Sequence, residues 1–357
     1  VSIPVASGFS HLVDRVPRLR LFHGLLLGSL GLAVLLRGMA VRSTLTGYFA
    51  LYTGFSVLEL LLEIQFWVLV SDYFTSLELK RAATLLVAAM SGGGLLGGAA
   101  ASLLVETFTP ATLLWLVPPF YLLAMAQLAL LGRAQRPPEA ADTEEEQTGM
   151  LESLKSFPLL VRRHPIVWML ALSALLAPFL RCVAEFQVFS IYERRFPDEQ
   201  ELAGFLGLLS GTLSVLEFAV LLFFTRPLIQ KLGVHRMNLI YPVTTLGSFA
   251  GLAVSHQLPA AIAANINYET LGNSIAAPVD TLNYNAVPRR FLGRVRGITD
   301  GLCYPLGIAL AGALLWVGQT VLDSLEITLG ALVLTVGLLA LGHGVGRHYL
   351  TSLVEML

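Results

Sequence analysis

Residues 12–20 read LVDRVPRLR, and residues 228–236 read LIQKLGVHR, 216 positions further along the chain. Both segments place two apolar residues before a polar and a basic one, followed by an apolar residue, a turn-forming residue and a closing arginine. The same offset brings Lys80 onto Arg296, each in a short basic stretch that enters an apolar segment. Similarity at a fixed offset indicates two related halves in one chain.

The composition of the chain disfavours a water-soluble enzyme. Of its 357 residues, 55% are hydrophobic and 13% are charged, and the mean hydropathy is +0.72. Soluble domains carry about 25% charged residues. The same figures exclude a disordered chain, and a net charge of −1 gives no basic signal for nucleic acid. We therefore expect an integral membrane protein whose surroundings are the lipid bilayer.

A helix that crosses a membrane needs about 20 apolar residues. Residues 1–13 form an apolar stretch that is too short to cross and has no basic start typical of a signal peptide. We interpret it as part of a helix whose beginning is missing. The full candidate spans that follow number ten: 20–37, 45–70, 83–105, 110–132, 165–192, 201–225, 237–256, 258–286, 297–318 and 324–346.

The loops between these spans differ strongly in positive charge. When alternate loops are counted, one side holds 18 Lys and Arg residues and the other holds 4. Basic loops stay in the cytoplasm. The count therefore predicts cytoplasmic basic loops, in the inner membrane of a bacterium.

The longest polar stretch predicts a boundary between two domains. Residues 133–163 carry two consecutive prolines and an acidic run; they form either a solvated linker or a docking site for a partner. The boundary separates an N-terminal helical lobe, 1–132, from a C-terminal six-helix lobe, 164–350, and residues 351–357 begin a C-terminal extension. With one helix missing at the front, each lobe has six helices.

The segment 10–20, SHLVDRVPRLR, resembles the loop between the second and third helices of the major facilitator superfamily. The resemblance implies an all-α polytopic membrane protein with two six-helix lobes, of which about eleven helices are present here. Asp14 would then pair with a basic group or a helix N-terminus in one conformation and release it in the other. Alternatively, the arginines only follow the loop-charge rule. The expected gating residues are Asp14, Arg15, Arg18, Lys231, Arg236, Arg294, Arg296 and Asp300.

A narrower set of segments resembles the ATP/ADP carriers of plastids and intracellular bacteria. These segments are SDYFTS at 71–76, the glycine run SGGGLLGG at 91–98, PRRFLGRVR at 288–296, Asp300, and CYPLG at 303–307. Carriers of this type show a basic-Gly-basic loop, an aspartate, and then Pro-Leu-Gly before a glycine-rich helix. The resemblance implies a nucleotide-carrier type within the superfamily.

Two departures argue against ATP/ADP exchange itself. The lysine that follows Pro-Leu-Gly in the nucleotide exchangers is Ile308 here, and residues 277–282, APVDTL, lack their Lys-Glu pair. Binding a nucleotide's phosphates in a membrane cavity without buried cations would be costly. Divergent bacterial relatives often carry cytosolic regulatory modules after the membrane domain, so a fused or associated module of that kind is an expected partner.

Ionisable side chains inside spans are expensive, and each is a candidate functional group. Glu59 and Glu63 are four residues apart, hence on one helical face, which suits proton coupling, cation binding or a bond between helices. Arg181 and Glu185 have the same spacing; they form a local ion pair, or Arg181 binds an anionic group of a solute. Glu217 is a lone carboxylate that needs a partner on a neighbouring helix or a place in a cavity.

The span 258–286 has the longest polar stripe. Asn265, Glu269 and Asn273 recur every four residues, and Asp280 returns to nearly the same face. Such a stripe lines either a water-filled cavity or a polar seam between helices. The candidate residues for a substrate or ion cavity are Glu59, Glu63, Arg181, Glu185, Glu217, Asn265, Glu269, Asn273 and Asp280.

These observations predict a secondary active transporter that moves a small polar or anionic solute by alternating access, with a coupled proton or cation. We expect no enzyme activity, because no nucleophile elbow, metal motif or phosphate-binding loop is found, and no cofactor. The alternative is a non-transporting membrane domain that anchors or senses for attached cytosolic modules.

Overall fold

The computed structural model describes residues 18–40, 45–73, 76–105, 107–134, 161, 165–287 and 289–356. Over these residues the chain forms helices and short turns, and no strand. Helices suit a membrane because they satisfy every backbone amide and carbonyl within the segment, where lipid offers no hydrogen-bond partner.

The first four helical segments lie before residue 135. They are α1 (Arg18–Ala40), α2 (Leu45–Tyr73), α3 (Ser76–Leu104) and α4 (residues 110–134), which joins Pro110–Leu113, a 3-10 turn at Leu114–Leu116 and Val117–Ala134.

Five longer segments follow residue 164, and three of them contain π-helical stretches. They are α5 (Pro165–Arg195), α6 (Glu199–Val254, with a π-helix at Val220–Thr225), α7 (residues 258–286, with a π-helix at Ile266–Ala276), α8 (residues 289–318, with a π-helix at Thr299–Cys303) and α9 (Ser324–Met356).

The expectation of eleven helices is wrong for the described part of the chain, which has nine continuous helical segments. The predicted spans 201–225 and 237–256 belong to the single segment α6, and each of the other eight full spans coincides with one segment. Within α6 the chain turns sharply at Gly233, where φ is 72° and ψ is 159°. Glycine adopts positive φ without a Cβ clash, so two helices, each holding one of the two predicted spans, meet at this kink. The incomplete stretch 1–13 lies outside the described residues.

By length and composition, five helices of the described chain can cross a membrane. Large apolar side chains on them face outward: Trp316 is 74% exposed and Phe120 is 65% exposed. In water such exposure would be unfavourable, whereas in a bilayer these side chains contact lipid.

The helices form two compact units. The first contains α1, α2, α4, the start of α6 (199–208) and α3 without residues 91–95. Its core joins Leu26 of α1, Leu69 of α2 and Leu128 of α4, which are all buried.

The second unit contains α5, α7, α8, α9 and the rest of α6. Helix α9 packs along α5 and along the second half of α6, and α8 packs along α5. One buried cluster joins Ile166 and Val167 of α5, Val295 of α8, and Val345 and Tyr349 of α9. Helix α7, which carries the polar stripe, packs against α5 and α6 of this unit.

Candidate functional site

The polar stripe of α7 contains a cross-helix salt bridge. Nη2 of Arg181, on α5, donates a hydrogen bond to Oε1 of Glu269, on α7, at 3.1 Å. About a third of each side chain is exposed, 33% for Arg181 and 37% for Glu269. The sequence offered Glu185 as a local partner of Arg181 or an anionic solute as its ligand; the salt bridge reaches a residue 88 positions away, and Glu185 interacts with Arg181 electrostatically as well. The pair is held between two helices and is still accessible from solvent.

Glu217, in the middle of the first half of α6, also has a partner on α7. Nδ2 of Asn273 donates to Oε2 of Glu217 at 3.2 Å. Glu217 is close enough to Glu269 and Arg181 to interact with both electrostatically. Three charged side chains from α5, α6 and α7 therefore form one coupled group.

Other polar groups of α7 reach different neighbours. Nδ2 of Asn265 donates to the hydroxyl of Tyr192 on α5 at 3.2 Å, and Nδ2 of Asn267 donates to Oγ1 of Thr245 on α6 at 2.9 Å. The Oδ1 atoms of both asparagines and Oγ1 of Thr270 are buried without a hydrogen-bond partner among the described residues. Buried polar atoms in native proteins are nearly always satisfied, so these three acceptors call for water or a solute.

The middle of the stripe, with Glu269 and Asn273, lies on a π-helix, Ile266–Ala276. A π-helix has wider turns than an α-helix because its hydrogen bonds join residues five apart, and such segments are frequent at functional sites. Oγ1 of Thr225, at the end of the π-helix of α6, donates to the carbonyl of Ser274 at 2.8 Å. The two π-helices are thus bonded to each other next to Asn273.

An aromatic ring supports the arginine. The ring centroid of Tyr268 is 5.9 Å from the guanidinium carbon of Arg181, and Tyr268 is only 2% exposed. A guanidinium over a ring face is attracted by the ring's electrons. Tyr268 and Glu269, adjacent in the sequence, therefore both hold Arg181 in place.

A second polar group lies where α7 meets α8. Oδ1 of Asp300 accepts hydrogen bonds from the Tyr284 hydroxyl at 2.7 Å and from Oγ1 of Thr299 at 3.0 Å. The guanidinium carbon of Arg296 lies 4.8 Å from the centroid of the Tyr284 ring. Two predicted gating residues, Arg296 and Asp300, are thus brought together through Tyr284.

The remaining cavity candidates are Glu185, Asp280, Glu59 and Glu63, and Glu185 also interacts electrostatically with Arg181. Glu185 is half-buried on α5, and Asp280 is exposed near the end of α7. Glu59 and Glu63 lie four apart within helix α2, so the backbone permits the predicted common face. Their side chains lie outside the described residues.

The structure describes the side chains of only some of the remaining gating candidates. Lys231 and Arg236 are exposed on α6 on either side of Gly233. Arg18 begins α1 and Arg294 lies in α8, and nothing is described of their side chains. Asp14 and Arg15 lie outside the described residues.

Sequence reasoning missed a polar junction between α5 and α9. Gln187 is fully buried; its Nε2 donates to the Ser324 carbonyl at 3.0 Å, and its Oε1 accepts from the Ser324 hydroxyl at 2.5 Å. Nε2 of His256 lies 3.2 Å from the same hydroxyl. A glutamine inside an apolar span was the available signal. Tyr192 and Thr245 gave no signal, since isolated hydroxyls are common in apolar helices.

A family model describes most of the chain. No curated protein matches the chain. The family model described as Major Facilitator Superfamily matches residues 2–312, which is most of the sequence. The chain therefore belongs to the Major Facilitator Superfamily, a family of secondary membrane transporters that are not enzymes.

Proposed function

We propose that the chain moves a small anionic solute across the membrane by alternating access, in symport with a proton. We propose further that Arg181, Glu269, Glu217 and Asn273 form the solute and proton site. The observation that carries the proposal is the half-buried Arg181–Glu269 salt bridge between two apolar helices. Charged groups at membrane depth are unfavourable and mark solute or ion pathways.

Arg181 is the group that favours an anion. A guanidinium presents its donors as a planar fork that fits carboxylate or phosphate oxygens. In this structure the salt bridge to Glu269 joins one nitrogen, Nη2, to one oxygen, Oε1. A solute carboxylate can therefore approach the same guanidinium, provided that the charge of Glu269 does not repel it.

Glu269 and Glu217 supply a reason for proton coupling. A solute anion at Arg181 would lie beside two carboxylates, and three negative charges near one guanidinium repel each other. A proton on Glu269 removes one of these charges and releases Arg181 for the solute. Binding of the anion and binding of the proton then favour each other, which is the requirement for symport.

Uptake into proteoliposomes tests the solute class. The panel should contain monocarboxylates, dicarboxylates, phosphate esters, ATP and a neutral sugar, with an inwardly directed proton gradient. We expect at least one carboxylate or phosphate ester to accumulate, and Arg181→Gln to lower that uptake by about tenfold or more, because a charge-assisted hydrogen bond is lost. Arg195→Gln, an exposed arginine at the end of the same helix, is the matched control and should transport normally.

Separate variants test the coupling. Glu269→Gln should keep solute exchange between loaded vesicles and lose accumulation driven by the proton gradient. Glu193→Gln, an exposed carboxylate on α5, is its control. Accumulation by Glu269→Gln equal to that of the parent protein would exclude Glu269 as the proton carrier. A complete lack of transport over the whole panel would favour the anchor or sensor function instead.

ATP is included as a solute that we expect to fail. Ile308, at the position of the phosphate lysine of the ATP/ADP carriers, is an exposed aliphatic side chain on α8. A nucleotide triphosphate needs several cations, whereas the proposed site has one guanidinium paired with a carboxylate.

We also propose the predicted lobes, 1–132 and 164–350, and cytoplasmic basic loops in a bacterial inner membrane. The support is the 18 to 4 distribution of basic residues. This orientation places the start of α5 and the end of α9 on the cytoplasmic side. Labelling of single cysteines at exposed positions such as Lys231 and Asp323, in cells with a sealed inner membrane, tests it.

A further inference from the structure

One face of α9 lines a cavity of about 390 Å³ near the end of that helix. Its lining residues are Ala340, His343, Gly344, Arg347 and His348. Their spacing of three, four, seven and eight residues from Ala340 places all of them on one helical face. The two small residues leave room, and the three long side chains all carry nitrogen donors.

A third imidazole lies beside this face. The ring centroids of His235, on α6, and His343 are 6.2 Å apart. Helix α6 comes this close because Gly346 has no side chain: a Cβ there would lie 2.7 Å from both Nδ1 and the carbonyl oxygen of His235. Nδ1 of His235 is buried and has no hydrogen-bond partner among the described residues.

The chemistry of the lining favours an anion. Arginine and histidine supply the polar groups, and the described residues that line the cavity include no carboxylate. A metal ion does not fit, because no group of three His, Cys, Asp or Glu side chains in the described chain could hold one. Arg347 offers a planar fork of donors, which matches phosphate oxygens, and an imidazole donates through a ring N–H in either protonation state.

The position of the cavity indicates where such an anion would come from. The apolar span predicted from the sequence, 324–346, ends one residue before Arg347. Lipid phosphates lie at this depth, just outside the hydrocarbon core. Basic pockets between membrane helices on the cytoplasmic side bind anionic headgroups.

We propose that Arg347, His343 and His348 form a binding site for a phosphate group near the end of α9, with His235 beside His343. The group is either the phosphate monoester of an anionic lipid or a soluble phosphate. The site shares no residue with the proposed solute site at Arg181, so each can be tested without the other.

The test uses the whole chain in nanodiscs of three compositions. The first is phosphatidylcholine alone, the second adds a minor fraction of phosphatidic acid, and the third adds the same fraction of a fatty acid, which has negative charge without phosphate. Inorganic phosphate is titrated into the first. The readouts are the melting temperature and the phosphatidic acid that remains bound in native mass spectrometry.

We expect phosphatidic acid to raise the melting temperature of the parent protein and to remain bound, and the fatty acid to do neither. The double variant His343→Gln/Arg347→Gln should bind phosphatidic acid at least about tenfold more weakly than the parent protein, because charge-assisted hydrogen bonds are lost. Arg226→Gln removes an exposed charge at the start of the second part of α6, outside the cavity lining, and should behave as the parent protein does.

The comparison of phosphatidic acid with inorganic phosphate distinguishes a lipid headgroup from a soluble phosphate as the ligand. Stabilisation by phosphatidic acid indicates a headgroup site, and stabilisation by inorganic phosphate alone indicates a soluble ligand. Equal binding by the parent protein and the double variant, or an equal effect of the fatty acid, would overturn the proposal. Arg347→Lys keeps the charge and loses the fork, so intermediate binding by this variant separates a direct contact from a folding defect.

Discussion

Arg181 of α5 and Glu269 of α7 bond at 3.1 Å across 88 residues of sequence. Each side chain supplies the charge that the other needs at membrane depth. The pair therefore connects two helices and, in the proposed function, binds the solute as well. Changing one partner disturbs both roles, whereas changing both removes the charges together.

A double-mutant cycle separates these roles. Arg181→Gln and Glu269→Gln should each lower stability, by less than the about 3–5 kcal/mol expected for breaking a fully buried pair, because about a third of each side chain is exposed, 33% and 37%. The double variant should recover most of the loss, since no unpaired charge is left. Thermal unfolding in detergent gives the three values.

Transport by the same variants gives the second half of the cycle. The double variant should be folded and stable and should still lack uptake of the anionic solute. Recovery of uptake together with stability would mean that the pair only holds the helices, and that the solute binds elsewhere.

The amide pair between α6 and α7 should be structural. Nδ2 of Asn238 donates to Oδ1 of Asn283 at 2.9 Å, and Nδ2 of Asn283 donates back to Oδ1 of Asn238 at 2.7 Å. Asn283 is 1% exposed, so Asn238→Ala leaves its amide buried and unsatisfied, at a cost of about 1–3 kcal/mol. We expect a lower melting temperature with an unchanged solute KM. Asn238→Ala/Asn283→Leu should be more stable than the single variant; an equally low melting temperature would contradict this account.

Sequence patterns located the polar residues of the site and not their partners. Glu269 and Asn273 were recognisable because polar residues at a regular spacing are unusual in an apolar span. The partner of Arg181 was not recognisable: Glu185 is nearer in sequence, and the helix packing that brings Glu269 to it depends on contacts across the whole unit. Local spacing predicts a shared face and carries no information about which helix faces it.

The same limit applies to the fold. Apolar segments of sufficient length predicted the helices and most of their ends, because the bilayer thickness determines how many apolar residues a spanning helix needs. The turn at Gly233 falls where the segment 228–236 predicted a turn-forming residue. The π-helix at Ile266–Ala276 was not predicted. A π-helix leaves no hydrophobic signature, because it depends on how neighbouring helices accommodate the backbone.

Tyr284→Phe tests the gating hypothesis for α8. The variant removes the hydroxyl that donates to Asp300 at 2.7 Å and keeps the ring that lies 4.8 Å from Arg296. If the bond stabilises one conformation of the transport cycle, its loss should shift the conformational equilibrium by about two- to tenfold. The measurement is the labelling rate of a single cysteine introduced at exposed Asn285, with and without solute.

Two comparisons decide the outcome. Thr299→Val removes the weaker of the two donors to Asp300, at 3.0 Å, and should shift the labelling rate less than Tyr284→Phe does. Equal labelling in all three proteins would remove Tyr284 and Asp300 from the gate.

His256 should make stability depend on pH. It lies between α6 and α7, outside the spans. Burial lowers its pKa below the ordinary imidazole value, and the positive charge of Arg194 lowers this pKa further. The folded protein thus binds this proton less readily than the unfolded chain. Its contribution to stability is full above about pH 6.5 and is lost as the pH falls below that value. Between pH 7.5 and 5.5 the parent protein should lose about 1–2 °C more in melting temperature than His256→Gln, a small effect because the ring is half-buried. An equal loss of melting temperature in both proteins would show that His256 binds its proton equally in the folded and the unfolded state. Its contact with Ser324, at 3.2 Å, would then have no role in the response to acid.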